Sequence, residues 1–170
     1  SGAISDEDIQ DFYRNNLDKV AGQPELIMGN LLSFEVLASG AGADFDITLT
    51  EGTNEITRTI SLPEGSYSAG DINTLVSALQ TAIDDDTSGF GTFTLDGQTV
   101  SKIKVGTDPD GKKIVFTVQD GDAIQINQTP KANGLELAKI GFEDGARSHQ
   151  VSSGAYELTM NFTDFTATPD

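Results

Sequence analysis

The chain has 170 residues, of which 36% are hydrophobic and 7% aromatic, and its 27 acidic against 10 basic side chains give a formal net charge of −17. This length predicts one domain with an elaborated end, or two very small ones, and it is sufficient to bury a core without covalent cross-links. Phosphate backbones and anionic lipid surfaces would repel so acidic a chain, and the absence of cysteine excludes disulfides, thiolate catalysis and cysteine-ligated zinc.

The N-terminal segment predicts a helix over residues 6–21. Ser5 and Asp8 form a capping pattern at its start, and apolar side chains then recur at helical spacing until the chain reaches Pro24. An alternating strand is predicted over 32–38, after which residues 39–43 are small and form a loop. We interpret that loop as the boundary between an N-terminal arm and the main body.

Residues 45–62 predict a β-hairpin with one buried face. Phe45, Ile47 and Leu49 alternate with polar side chains, and the same period of two returns after a loop that contains glycine. The corner Leu-Pro-Glu-Gly-Ser-Tyr at 62–67 ends this hairpin.

A long amphipathic helix is predicted over about 69–84. Ser68 and Asp71 have the spacing of a helix start. Apolar side chains then follow at helical intervals and predict that the helix packs on the hairpin; they are Ile72, Leu75, Val76, Leu79 and Ile83. Three aspartates, 84–86, close the helix at the end where negative charge is unfavourable, and this indicates either a solvated terminus or a cation site.

Beyond the helix the pattern is typical of strands joined by Asp-Gly turns, which are strong hairpin signals. We predict strands over 92–95, 100–105, 113–118 and 123–127, a short helix over 134–140, a polar loop over 143–154, a last strand over 156–162 and a linker over 163–170.

Few side chains suggest chemistry. His149 is the single histidine, and without a Gly-x-Ser-x-Gly or comparable pattern it is interpreted as an exposed loop residue. The pairs Asp108/Asp110 and Asp120/Asp122 partly match a calcium loop, but position 117 is Thr where an EF-hand needs Glu. We interpret them as hairpin turns, with weak calcium binding as the open alternative. The sequence therefore predicts no catalytic, cofactor-binding or metal-binding residue.

The stretch from Phe45 to Phe142 resembles a known repeating unit. Its hairpin, the Gly-Ser-Tyr-Ser turn at 65–68, the amphipathic helix, the Asp-Gly strands and the closing Ile140-Gly141-Phe142 are similar to the unit of the variable outer domains of bacterial flagellins, hook-associated proteins and the filament-cap protein. The segment that begins at the Leu-Pro-Glu-Gly-Ser-Tyr corner and the later Ile-Gly-Phe also resemble, more weakly, phage tail-fibre and capsid-associated virion proteins. The resemblance implies an outer domain cut from a larger protein, with a role in assembly or attachment.

These observations together predict an α+β fold: an antiparallel sheet of about 6–8 strands, one long helix packed on it and an N-terminal helix. The expected divisions are an arm over 1–40, a flagellin-variable-like domain over 44–142, and a loop, closing strand and tail over 143–170. The expected function is a non-enzymatic structural and surface-display domain of an extracellular bacterial appendage. A virion structural module and a secreted, glycan-binding adhesin are the alternatives.

The expected partners are neighbouring subunits of the same appendage, with glycans or a host surface as a further option, and neither nucleic acid nor an inserted membrane. No cofactor is expected, and the expected location is extracellular.

Overall fold

The computed structural model describes residues 23–129 and 132–149. The predicted helix over 6–21, the closing strand over 156–162 and the linker over 163–170 lie outside the described residues. One compact unit spans Glu25–His149. Within it, the helices are α1 (Ile72–Asp84) and a single 3-10 turn (Leu137–Ile140).

Eleven strands occur in this described part of the chain, and most of them are short. In chain order they are β1 (Glu25–Ile27), β2 (Phe34–Val36), β3 (Asp44–Glu51), β4 (Asn54–Ser61), β5 (Gly65–Tyr67), β6 (Thr92–Leu95), β7 (Gln98–Ser101), β8 (Ile103–Thr107), β9 (Ile114–Val118), β10 (Ala123–Gln128) and β11 (Ala146–Arg147).

All strand pairs are antiparallel, and they form two sheets and two ribbons. The first sheet has the order β1-β9-β8, the second has the order β11-β10-β3-β4, and the ribbons are β2-β5 and β6-β7. The α+β class and the long helix packed on strands are confirmed. The strands exceed the predicted 6–8 for three reasons. The run 100–105 divides at Lys102, and the apolar stretch before residue 40 forms two short strands. The predicted corner and the predicted polar loop also contribute the short strands β5 and β11.

The hairpin β3-β4 is confirmed, with a two-residue turn at Gly52 and Thr53. Its apolar positions Phe45, Ile47 and Leu49 are almost fully buried, as the alternation predicts. The opposite face of the hairpin is polar, so this sheet has a single buried face.

Helix α1 packs on the sheets through a narrow stripe. Ile72, Leu75, Leu79 and Ile83 are buried, and Val76 is partly buried against the same core. The helix begins later than the predicted 69, because Ser68 accepts a hydrogen bond from the N–H of Gly70 in the preceding turn. Every fourth or third residue of the stripe therefore contacts the core, as the helical period requires.

The closing motif Ile140-Gly141-Phe142 lies where two distant segments of backbone touch. Gly29 donates its N–H to the carbonyl of Gly141 at 2.9 Å. Gly141 has φ +87°, and a Cβ there would overlap the carbonyl oxygen of Gly29 and lie 2.6 Å from its carbonyl carbon. Phe142 stacks on Phe116 with ring centroids 5.5 Å apart. The close backbone contact within this motif therefore requires glycine at position 141.

One predicted hairpin is wrong. The Asp-Gly signal at 120–121 suggested that the flanking strands pair, but β9 pairs with β1 and β8, whereas β10 pairs with β3 and β11. The loop instead crosses from one sheet to the other. Gly121 has φ +133° and lies against Leu49, so the glycine serves a close approach between loop and core. By contrast, Asp96 and Gly97 have φ 51° and 78° and form the expected hairpin turn between β6 and β7.

The compact unit Glu25–His149 begins before residue 40 and ends after residue 142. Strand β1 pairs with β9, and β2 pairs with β5, so residues of the predicted arm belong to the same sheets and ribbons as the main body. At the other end, β11 pairs with β10. Pairing between strands that are distant in the sequence cannot be predicted from the local sequence pattern.

Candidate functional site at an open strand edge

Strand β4 forms one outer edge of the four-stranded sheet. Leu62, which follows it, donates its N–H to the carbonyl of Ala43 at 3.0 Å, and the register pairs Ser61 with Asp44. Bonded and non-bonded pairs alternate along an antiparallel ladder, so every second residue of β4 directs its backbone groups away from β3. The residues that face outward in this way are Glu55, Thr57, Thr59 and Ser61.

No residue in the described ranges 23–129 and 132–149 forms a backbone hydrogen bond with these outward groups of β4. An unpaired edge of this length is a template for pairing with another strand. We refer to the outward backbone groups of Glu55, Thr57, Thr59 and Ser61 as the β4 edge.

The opposite situation is found at β8, the outer strand of the first sheet. The side chain of Gln80 on α1 accepts the N–H of Val105 at 2.8 Å and donates to the carbonyl of Ile103 at 3.0 Å. The amide of Gln80 thus takes the place of a neighbouring strand, and this edge is closed.

The remaining edges are short or paired. Glu25 of β1 exchanges two backbone hydrogen bonds with His149, at 2.8 and 2.7 Å. Strand β11 at the far side of the second sheet has only two residues. The β4 edge is therefore the longest open edge among the sheets of the described unit.

An open groove of about 580 Å³ runs between the end of β4 and the flank of α1. Thr59 and Ser61 of the β4 edge line one side of it. The apolar part of its lining comes from both elements and comprises Leu62, Pro63, Ala78 and Ala82. The groove thus combines unpaired backbone groups with a strip of apolar surface, which are the two requirements of an added strand.

Hydroxyl groups bridge to carboxylates on the polar face of the hairpin. Thr59 donates to Asp46 at 2.8 Å, and Ser61 donates to Asp44 at 2.6 Å. Each carboxylate therefore accepts a hydrogen bond within the sheet, and the face beside the β4 edge is acidic.

The three aspartates at the end of α1 were predicted to be solvated or to bind a cation. Asp84 instead accepts hydrogen bonds from Gln80 at 2.9 Å and from Ser101 at 3.0 Å. Asp85 accepts the N–H groups of Ser88 and Thr87, and these bonds hold the pKa of its carboxyl below the usual value. Asp84 and Asp85 thus hold the helix end to its neighbours.

The predicted calcium candidates also accept hydrogen bonds from backbone. The carboxylate of Asp108 accepts the N–H groups of Lys113 and Lys112 at 2.9 and 2.8 Å, and these bonds lower its pKa. Asp122 accepts the N–H of Gly52 at 2.6 Å. In the part of the chain that the structure describes, no group of three or more His, Cys, Asp or Glu side chains is placed to hold a metal ion.

His149 is exposed, as predicted, and contributes its backbone to the pairing with Glu25. Its neighbour Ser148 accepts the N–H of Ile124 through its hydroxyl at 3.0 Å. Among the residues with described coordinates, no helix combines the length and the apolar character that a bilayer crossing demands.

Comparisons with known proteins identify no relative, because no protein-family model, no curated protein and no solved structure matches this chain.

The sequence analysis missed both the β4 edge and the closing of β8 by Gln80. Alternation in residues 54–61 indicates a strand and its faces, but it does not indicate which side of that strand lacks a neighbour. For Gln80 the available signal was weak: a polar residue directly beside Leu79 of the buried stripe.

Replacing Gln80 with leucine is expected to lower the free energy of unfolding by about 1–3 kcal/mol, because the backbone groups of Ile103 and Val105 lose their partners. Urea denaturation of the full chain measures this. Gln98→Leu, at an exposed position of β7, is the matched control and should change stability little. Equal effects of the two substitutions would contradict the assigned role of Gln80.

The carboxyls of Asp108 and Asp85 are expected to titrate below the usual aspartate value of 3.8. Because folding lowers their pKa, their contribution to stability is complete above the unfolded-state pKa and is lost as pH falls through the folded-state pKa. Carboxyl-carbon NMR shifts followed from pH 7 downward measure both midpoints. A midpoint at or above the usual value would show that the turn hydrogen bonds do not form.

Proposed function

We propose that this chain is a non-enzymatic structural and display domain of an extracellular bacterial appendage, a flagellar filament or hook-associated protein. The observation that carries the proposal is the arrangement of its motifs: hairpin, Pro-Gly corner, amphipathic helix and closing Ile-Gly-Phe occur in the order that the resemblance implies. A virion structural protein is the alternative, since the same segments resemble virion modules more weakly.

The motifs behind the resemblance have scaffold roles in this fold. Tyr67, at the end of the corner, donates its hydroxyl to the carbonyl of Pro63 at 2.7 Å and stacks on Phe34 with ring centroids 5.1 Å apart. Gly141 and Phe142 close the core against Gly29 and Phe116. These contacts favour a domain whose signature residues maintain a rigid shape.

Side chains that could perform chemistry are also engaged in holding the fold. Asp84 binds the side chains of Gln80 and Ser101, Asp108 organises a turn, and Ser148 accepts a strand N–H. A rigid, acidic body of this kind suits display on a polymer, since mutual repulsion between like-charged copies keeps the polymer dispersed. Neighbouring subunits are the proposed partners, and the β4 edge is the surface through which they would bind.

The test is to locate the protein in the cells that produce it. Antibodies raised against the full chain and detected with gold particles would be applied to intact cells, to sheared filaments and to virus particles from the culture fluid. Gold along filaments is the expected result. An isogenic deletion strain is the control for nonspecific labelling.

Labelling confined to virus particles would select the virion alternative. Labelling found only inside permeabilised cells would overturn the proposed extracellular role altogether.

A further inference from the structure

We propose that the β4 edge accepts a strand from a second copy of this chain, and that the donated segment is residues 156–162, the last strand that the sequence predicts. This inference rests on the proposed function, because it specifies how neighbouring subunits of an appendage would contact one another. The juxtaposition behind it is the β4 edge, whose outward backbone groups have no backbone partner among the described residues, beside a partly apolar groove.

Within the described unit, the edges at β8 and β1 are covered, whereas the β4 edge is not. The amide of Gln80 closes the edge at β8, and His149 pairs with Glu25 at β1. The β4 edge has no such cover among the described residues, and its outward N–H and carbonyl groups at Thr59 and Ser61 adjoin the groove. Main-chain hydrogen bonds at these positions would provide affinity, and the groove would select the side chains.

The donor has the length and the pattern that this acceptor requires. Residues 156–162 number seven, close to the eight of β4 (Asn54–Ser61). An added strand must be apolar toward α1 and polar on the opposite face, because this sheet has a single buried face. The apolar positions of the donor alternate as required and are Tyr156, Leu158, Met160 and Phe162.

Charge favours the same segment. The chain as a whole has a net charge of −17, and the face beside the β4 edge contains Asp44 and Asp46. The segment 156–162 contains one charged side chain, Glu157. A nearly neutral strand can approach an acidic face with little repulsion, whereas more acidic segments of the chain cannot.

A donor from another copy follows from the proposed function, in which the partners are neighbouring subunits. Strand β11 occupies the edge of the second sheet opposite β4, with β10 and β3 between them. Adjacent strands lie about 4.8 Å apart, so the two edges are roughly 14 Å apart in the plane of the sheet. The eight residues 148–155 are long enough to cover this distance, since an extended chain spans about 3.3 Å per residue, so pairing within one copy is tested below. A strand given to a neighbour generates a head-to-tail contact, the type that builds open polymers.

Disulfide trapping tests the proposal directly, because the chain has no cysteine of its own. Thr57 lies on the β4 edge with its side chain exposed on the polar face, the face on which Thr159 and Asn161 of an added strand would lie. Two full-length single-cysteine proteins with tags of different size, Thr57→Cys and either Thr159→Cys or Asn161→Cys, would be mixed and oxidised. The trapped heterodimer is then measured on a non-reducing gel.

The matched control is Thr48→Cys, which lies opposite Thr57 on the same face but one strand further into the sheet. Because a disulfide needs Cα atoms within about 7 Å, the edge position should yield roughly tenfold more heterodimer than the control. Equal yields from the two positions would overturn the proposal. So would a doubly substituted chain, Thr57→Cys with Thr159→Cys, that forms only an internal disulfide, because the strand would then pair within its own chain.

A second measurement does not depend on cysteine. Thr59→Pro removes one outward N–H of β4 and leaves the bonds to β3 intact, a position at which an edge strand tolerates proline. We expect the variant to keep its circular dichroism spectrum and to lose the self-association that sedimentation detects for the parent chain. Unchanged self-association would overturn the proposal, and so would a parent chain that remains monomeric. Gold labelling of filaments remains independent of either result, so the proposed function can stand if strand donation fails.

Discussion

Replacing Gly141 with alanine is expected to lower the free energy of unfolding by about 2–5 kcal/mol. Two costs combine at this position. A side chain is disfavoured at φ +87°, and the new Cβ would overlap the backbone of Gly29, which is held in place by its own hydrogen bond to Gly141. Backbone atoms cannot move aside as a flexible side chain can, so the strain would reach β1 and the 3-10 turn. Urea denaturation of the full chain measures the loss.

Gly97→Ala separates the two costs. Gly97 has a similar φ of +78°, and a Cβ there would meet no atom within 4 Å. The free energy of unfolding of Gly97→Ala should therefore fall only by the cost of a side chain at positive φ, about 1–2 kcal/mol. If both variants lost the same amount, close contact between Gly141 and Gly29 would contribute nothing, and the closing motif would need another explanation.

Replacing Leu79 with alanine is expected to cost about 2–5 kcal/mol, because it opens a cavity at the centre of the contact between α1 and the sheets. Leu79 is fully buried between Leu75 and Ile83 on the same stripe. The substitution keeps helix propensity high, so the loss reports packing and not the helix itself. Thermal and urea unfolding of the full chain measure it.

Ser77→Ala on the exposed side of α1 is the control for Leu79→Ala. Its side chain is exposed, and alanine is the better helix former, so stability should stay within about 0.5 kcal/mol of the parent chain. A small loss for Leu79→Ala, comparable with that of the control, would mean that the helix does not pack as described.

Local pattern was sufficient to predict the hairpin β3-β4 and the stripe of α1. In both, a period of two or of 3.6 residues indicates which side chains are buried, and the pattern that marks Ile47 or Leu79 lies within the element itself. The turn at Asp96 and Gly97 was predictable for a similar reason, since two successive residues with positive φ are favoured by that dipeptide.

Pairing between distant strands could not be predicted in this way. The turn signal at Asp120-Gly121 was present, but strand β10 finds its partner in β3, more than seventy residues earlier, because a shared apolar face decides the contact. The joint of Gly29 with Gly141 is similar: two glycines far apart in sequence indicate their contact only once the backbones are placed. Hydrogen-bond partners of polar side chains were the hardest contacts to predict, since the partners of Gln80, Asp84 and Asp108 depend on backbone geometry.

The candidate site was equally hidden from sequence. No catalytic or metal-binding residue is predicted by the sequence, and the β4 edge consists of backbone groups whose chemistry is the same in every strand. An open edge is defined by the neighbour that is missing, and that neighbour depends on sheet order alone.

The ribbon β6-β7 has a practical consequence for protein engineering. Its strands expose most of their side chains, and a Cβ added at Gly97 in its tip would meet no atom within 4 Å. Exposed tips of this kind accept inserted sequence with little loss of stability. An epitope or a fluorescent-label site inserted between Asp96 and Gly97 would be displayed at an exposed turn of the fold.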